Sequence, residues 1–171
     1  MLYLAQTDTT AGFLSKDERE INKAKGRALQ TPCILTMSSL KELASLVRVP
    51  KAHKNLVRKA KKTSFIYKNA LNSCEFNKPL SATLKDKPLQ MSATNGFLAC
   101  RVVKDCAHAE FLREFGAFFS SSANLHGQAF SEQIARQITL QNGGQIIDES
   151  FFWGAPSTLI KLYRHKKVKI R

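Results

Sequence analysis

Acidic side chains are scarce in this chain. Its 171 residues hold 13 Asp and Glu against 27 Lys and Arg, a formal charge of +14. That imbalance concentrates anions near the surface, so nucleotides, nucleic acids and acidic surfaces become favoured partners, although a plain solvated basic surface would give the same charge. Cysteine is sparse too: Cys33, Cys74, Cys100 and Cys106, none in C-x-x-C spacing. This excludes the paired ligands of common zinc sites and the dense framework of a disulfide scaffold, leaving buried reduced thiols in a cytoplasmic protein as the expectation. No apolar stretch approaches the roughly 20 residues that span a bilayer, so no membrane association is expected. Leu2-Tyr3-Leu4-Ala5 is also too short for the apolar region of a signal peptide.

Signature motifs are missing as well. There is no G-x-x-x-x-G-K-[ST], no G-x-G-x-x-G after a strand and no G-x-S-x-G. His53, His108, His126 and His165 are scattered without metal-ligand spacing. Ordinary kinase, dehydrogenase and hydrolase readings lose support accordingly.

What is present suits a soluble α/β domain with a real core, at 43% hydrophobic and 23% charged residues. The length fits one domain over 1–171, and no linker or internal repeat divides it. Leu2 to Gln6 reads as a strand, followed by a polar loop from Thr7 to Gly12. Ser15 with Glu18 forms a capping-box signal for a helix to about Lys25, ended by Gly26. Pro32 to Met37 reads as a strand, Ser39 with Glu42 as the start of a capped helix, and Lys51 to Lys62 as a basic helix with Leu56, Val57 and Ala60 inward. Strands are expected at Ser64–Lys68 and Phe97–Val103, with one or two short ones in the polar stretch between them that holds Pro79 and Pro88. A helix at His108–Phe115, stopped by Gly116, precedes a buried strand at Ala117–Ser121. A helix at Ser131–Ile138 and strands at Gln145–Asp148, Ser157–Tyr163 and Val168–Arg171 complete the order. Strands dominate the end of the chain, which predicts a mixed sheet rather than a purely parallel one.

Four polar clusters flank these strands, where open α/β sheets commonly hold ligands. They are Thr7-Asp8-Thr9, Lys25-Gly26-Arg27, Ser120 through Asn124, and Pro156-Ser157-Thr158. Each has a bland reading: hydroxyls after strands close turns or cap helices, and cations at a helix C-terminus meet the negative end of its dipole. Their order along the chain is more specific than any one of them.

That order resembles the YrdC/YciO family. The family's opening P-T-D/E-T-x-Y-G-L is matched by Gln6-Thr7-Asp8-Thr9-Thr10-Ala11-Gly12-Phe13. Its I-x-x-x-K-x-R-x-x-x-x-P-L is matched by Ile21, Lys25, Arg27 and Pro32-Cys33. Thr63-Ser64-Phe65-Ile66-Tyr67-Lys68 is similar to its y-T-F-I-L-K strand, and Cys100-Arg101-Val102-Val103 to its v-R-x-P. The S-A-N stands intact at Ser122-Ala123-Asn124. Gly154 through Ile160 is similar to G-x-x-S-T-h-h, and the final arginine falls at Arg171.

The resemblance implies a single-domain twisted mixed β-sheet flanked by helices, with a basic concave cavity. It further implies a threonylcarbamoyl-AMP synthase that joins L-threonine, bicarbonate and ATP, with magnesium on the triphosphate, and releases pyrophosphate. The product would pass to a threonylcarbamoyl-transferase complex for tRNA modification. Carried onto this chain, Lys25, Arg27, Ser122 and Asn124 are the expected catalytic set and, with Arg171, the ATP-binding set. As cations at a cavity, Lys25 and Arg27 are expected to add little to stability. Thr7, Thr9, Ser64, Arg101 and Ser157 are the expected threonine-binding set, and no protein-held metal is expected. A non-catalytic relative that binds tRNA or double-stranded RNA is the alternative, supported by the basic segments Lys51–Lys62 and Arg164–Arg171. Related domains also occur in hydrogenase-maturation proteins, whose acyl-phosphatase and zinc motifs this chain lacks. The chain departs from the family pattern at Gln6, Ala11, Thr36, Val103 and the basic run Lys59–Lys62, and losing the aromatic at Ala11 is expected to open a wall of the threonine pocket.

Overall fold

The computed structural model describes residues 1–68 and 97–171. The short strands expected between Lys68 and Phe97, with Cys74, Pro79 and Pro88, lie outside the described residues. Within them the order is β1 Tyr3–Gln6, β2 Ala11–Ser15, α1 Glu18–Ala24, β3 Ile34–Met37 and α2 Leu40–Leu46. A 3-10 turn at Lys51–His53 leads into α3 Lys54–Lys59, then β4 Thr63–Lys68, β5 Phe97–Val102, α4 Ala107–Phe115 and β6 Phe118–Ser122. α5 Glu132–Gln141, β7 Gln145–Ile146, β8 Thr158–Leu162 and β9 Lys167–Lys169 follow.

All nine described strands form one sheet in the order β7-β1-β2-β6-β3-β5-β4-β8-β9. The pairs β1·β7, β3·β5 and β4·β8 are parallel and the others antiparallel, so the sheet is mixed as expected.

Local chemistry sets most boundaries. Ser39 caps α2 by accepting a hydrogen bond from the Glu42 amide. Gly26, at φ 64°, takes the left-handed conformation that ends the first helical segment. Two expectations at the start of the chain are overturned. The supposed loop up to Gly12 already contains the start of β2, whose residues Ala11 to Ser15 are all buried. Ser15 therefore belongs to a strand, and the cap of α1 is Asp17, which accepts from the Arg19 amide. The basic helix is shorter than expected, with Val57 buried and Leu56 and Ala60 half-buried at its core-facing side.

Side chains alternate across a strand, so residues two apart share a face. Leu4, Phe13, Leu35, Phe119, Cys100 and Phe65 face the main core, which α1, α2, α3 and α5 cover through Ile21, Leu43, Leu46, Val57 and Ala135. On the opposite face Ala5, Leu14, Phe118 and Val103 pack under Ala109 and Leu112 of α4. α4 covers only part of that face. The remainder, further along the same strands, carries Gly12, Ser120, Ser122 and Ala99, whose small side chains leave a hollow.

Candidate functional site

The hollow is a cavity of about 290 Å³. Its floor follows the strand register: Gly12 lies opposite Ser122, Ile34 opposite Ser120, and Ile66 opposite Ala99. Its rim comes from the Thr7–Thr10 turn, from Arg27, Pro32 and Cys33, from Pro156 and Ser157, and from Arg171. Three arginines line it, each from a different part of the chain, and none of the described lining residues is acidic.

Arg101 projects from β5 and is 4% exposed. Its Nη2 lies 3.1 Å from Asp8 Oδ1, and its Nη1 donates to Thr9 Oγ1 at 3.2 Å. The Thr7 hydroxyl donates its one proton to the Thr10 carbonyl at 2.7 Å, so the 3.2 Å contact between the two hydroxyls must run from Thr9 to Thr7. The polar chain therefore has one direction, from guanidinium through Thr9 and Thr7 to the turn. Burial lowers the Arg101 pKa from the ordinary guanidinium value; Asp8 acts against that shift and Arg171 adds to it. At Asp8 burial acts to raise the pKa, but His108 and Arg101 outweigh it and hold the carboxyl below its ordinary value.

The Lys25 cluster is built differently. Lys25 Nζ donates to the carbonyls of Ser122 at 2.6 Å and Asn124 at 2.5 Å, and to Asn124 Oδ1 at 3.1 Å. The Ser122 hydroxyl donates to the same Asn124 oxygen at 2.6 Å. Sequence positions almost a hundred residues apart are thus tied together. Yet Lys25 is 3% exposed, and neither it nor Asn124 lines the cavity. Its three ammonium protons are matched by three protein acceptors, so Lys25 is no free rim cation. Burial, with Arg27 adding repulsion, lowers its pKa to about 8.

Arg27 does line the cavity. Its Nε donates to Asn22 Oδ1 at 2.6 Å and its Nη2 lies 3.2 Å from Cys33 Sγ. Burial pushes the Cys33 thiol up to about 11, so it is protonated and inert at neutral pH. Ser64 stands behind the lining, its hydroxyl 3.0 Å from that of Ser157, which does line it. Arg171 Nε donates to the Ser157 carbonyl at 3.3 Å.

Ala11 is fully buried in the main core and does not line the cavity, so a change of its size acts on the core rather than on a pocket wall. Its amide donates to the Phe152 carbonyl, while Gln6 accepts from the Phe152 amide at 2.9 Å. These bonds dock the 151–157 segment on the Thr7–Thr10 turn. The docking is tight enough that a Cβ on Gly154 would stand 2.1 Å from the Thr9 carbonyl oxygen. Thr36 donates to the Phe118 carbonyl at 2.8 Å, and Val103 packs under α4.

Sequence reasoning missed Thr10, a lining residue whose buried hydroxyl has no hydrogen-bond partner among the described residues. It also gave no role to His108, which reaches Asp8 from α4. No group of three or more potential metal ligands occurs among the described residues, and the cavity lining offers hydroxyls and guanidiniums but no carboxylate. This donor set does not fit a protein-held magnesium ion. No helix among the described residues is long and apolar enough to cross a membrane.

Comparison with known proteins agrees with this fold. The family model described as "Telomere recombination", which covers Sua5, YciO and YrdC proteins, matches residues 7–171. Among solved structures, P. abyssi Sua5 complexed with L-threonine superposes with a TM-score of 0.73 at 21% identity, over 99% of this chain and 49% of that one. E. coli YciO gives 0.74 at 18% identity, over 99% and 82%. HypF in a phosphate- and nucleotide-bound form gives 0.69 at 10% identity, over 99% and 26%. The chain thus spans about half the length of the Sua5 protein it resembles. No curated protein matches it significantly by sequence.

Proposed function

The chain belongs to the Sua5/YciO/YrdC family, and from that premise we propose that its cavity binds L-threonine and ATP and joins them with bicarbonate into threonylcarbamoyl-AMP, an intermediate of tRNA modification. The observation that carries this reading is the placement of three arginines around one hollow without an acidic lining residue. A site of that kind suits a reaction between anions.

The threonine amine and bicarbonate form a carbamate and water. A carbamate oxygen then bonds to the α-phosphorus of ATP as the bond to the bridging oxygen breaks and pyrophosphate leaves. Both reactants are negative, so repulsion is a large part of the barrier, and fixed cations reduce it. Arg101, with Thr7, Thr9 and Ser157, is assigned to the amino acid, and its guanidinium suits a carboxylate. Arg27 and Arg171 are assigned to the nucleotide phosphates, with Ser122 joining them once its hydroxyl turns from Asn124. Lys25 is assigned to hold the 122–124 loop in place, with Asn124 as its partner, and Ser64 to hold Ser157. Magnesium enters with the triphosphate as part of the substrate. The cytoplasm is the proposed place of action, and a threonylcarbamoyl-transferase complex the proposed consumer of the product.

The test is pyrophosphate release from ATP, which should require both L-threonine and bicarbonate. Equal release without L-threonine rejects the reading.

One observation favours a second reading, binding of tRNA or double-stranded RNA. Arg164, His165, Lys166, Lys167 and Lys169 are all exposed on or beside β9, at the edge of the sheet. Such a row matches a phosphate backbone.

A further inference from the structure

Three groups meet beside the cavity floor. Asp8 Oδ1 lies 3.1 Å from Arg101 Nη2 and 3.8 Å from His108 Nδ1, with the Asp8 side chain only 10% exposed. They come from the turn between β1 and β2, from β5 and from the first turn of α4. His108 therefore sits at the boundary where α4 ceases to cover the sheet and the hollow begins. Both its ring nitrogens are buried without a hydrogen-bond partner among the described residues, as is Arg101 Nε. Buried polar groups are costly to leave unpaired, so an arrangement that pairs them gains a hydrogen bond. Moving Asp8 about 1 Å toward the imidazole would bring Nδ1 within bonding distance.

The charges facing His108 are Asp8 from the turn, Arg101 from β5 and Asp148 from the segment after β7. The two carboxylates favour an imidazolium, whereas burial and Arg101 oppose it; burial dominates and keeps the ring below its ordinary pKa. Around Arg101 the Cys106 thiol and Arg171 are the other titratable neighbours. His108 and Arg101 both hold the Asp8 carboxyl, and of the three groups only Arg101 lines the cavity.

We propose that Asp8 is a shared anion with two positions: on Arg101 while the cavity is empty, and on a protonated His108 once a ligand carboxylate occupies Arg101. His108 is then a positioning residue that couples amino-acid binding to the uptake of one proton. The inference rests on reading the cavity as an amino-acid site. The ligand carboxylate forms the new pair with Arg101, Asp8 turns to His108, and the imidazole takes its proton from solvent; nothing else changes covalently. By linkage, the same coupling strengthens binding as pH falls through the histidine range.

The experiment is calorimetric titration of the protein with L-threonine in two buffers of different protonation enthalpy. At about pH 6.5 the heats should differ by close to one proton per ligand, and the difference should fade by about pH 8.5. His108→Gln should abolish it. Identical heats in both buffers at both pH values overturn the coupling and leave the amino-acid site standing. Absence of any binding heat rejects the amino-acid site instead, and the shared anion is then decided without ligand, by NMR titration of the His108 ring. Arg101→Gln frees Asp8, so the His108 midpoint should rise by about one pH unit or more. If that variant does not fold, Asp8→Asn should move the midpoint down. A midpoint unmoved by removal of either partner overturns the proposal.

Discussion

Lys25 shows how far a residue's type can be separated from its task. A lysine beside an arginine at a helix end suggests an anion clamp, but here the ammonium is enclosed by two carbonyls and an amide oxygen. Lys25→Met would leave the half-buried carbonyls of Ser122 and Asn124 without their ammonium donor, while Asn124 Oδ1 keeps the Ser122 hydroxyl. It should destabilise the fold by about 2–3 kcal/mol, read by urea denaturation. A loss too small to measure would return Lys25 to the role of a free cation. Asp8 makes a second prediction. Its native pKa is depressed below the ordinary 3.8, so its contribution to stability is fully present above that value and lost as pH falls through the native one. Asp8→Asn should flatten that part of the acid denaturation profile, seen by comparing urea midpoints of the two proteins at successive pH values. The chemical identity of Lys25, Arg27, Arg101 and the Ser122-to-Asn124 run was legible in the sequence. The approach of His108 to Asp8 was not, because a contact across a hundred residues leaves no local pattern.

Among elements, β2 is the instructive one. Ala11-Gly12-Phe13-Leu14-Ser15 lacks the alternation of a half-exposed strand because both of its faces are covered. It follows a threonine-rich turn and contains a glycine, so the sequence resembled an extended loop. The strands from Thr63, Phe97 and Phe118, the capped α2 and the glycine-stopped α4 carried conventional signals and stand within a residue or two of expectation. The 151–157 segment has no regular structure, yet it closes the cavity by docking on the Thr7–Thr10 turn. Gly154→Ala should force that segment off the turn, because the obstructing atom is a backbone oxygen that cannot rotate away. If the cavity carries out the proposed synthesis, pyrophosphate release should fall about ten-fold or more through misplacement of Ser157, with a lower melting temperature in the same protein. Unchanged turnover would remove the segment from the site.

At the level of the whole molecule, charge and topology act separately. The +14 charge says nothing about the fold but determines long-range attraction to polyanions. If duplex RNA is a partner, its affinity should fall linearly in log–log form with salt, and Lys167→Glu with Lys169→Glu should reduce the slope by roughly one to two. An affinity indifferent to salt would remove that reading. The mixed sheet was foreseen from element order, whereas strand order was not: β6 inserts between β2 and β3, and β8 joins β4 across the intervening chain.

The union of β8 with β4 also has a temporal consequence. Pro156, Ser157, Leu159 and Arg171 complete a hollow whose other described lining residues fall between Thr7 and Ile66 and between Ala99 and Ser122. A nascent polypeptide that has not yet made β8 lacks Leu159 and Arg171, so its hollow stays open on one side. Distant pairings of this kind close late. The hollow is therefore enclosed only once β8 has paired with β4.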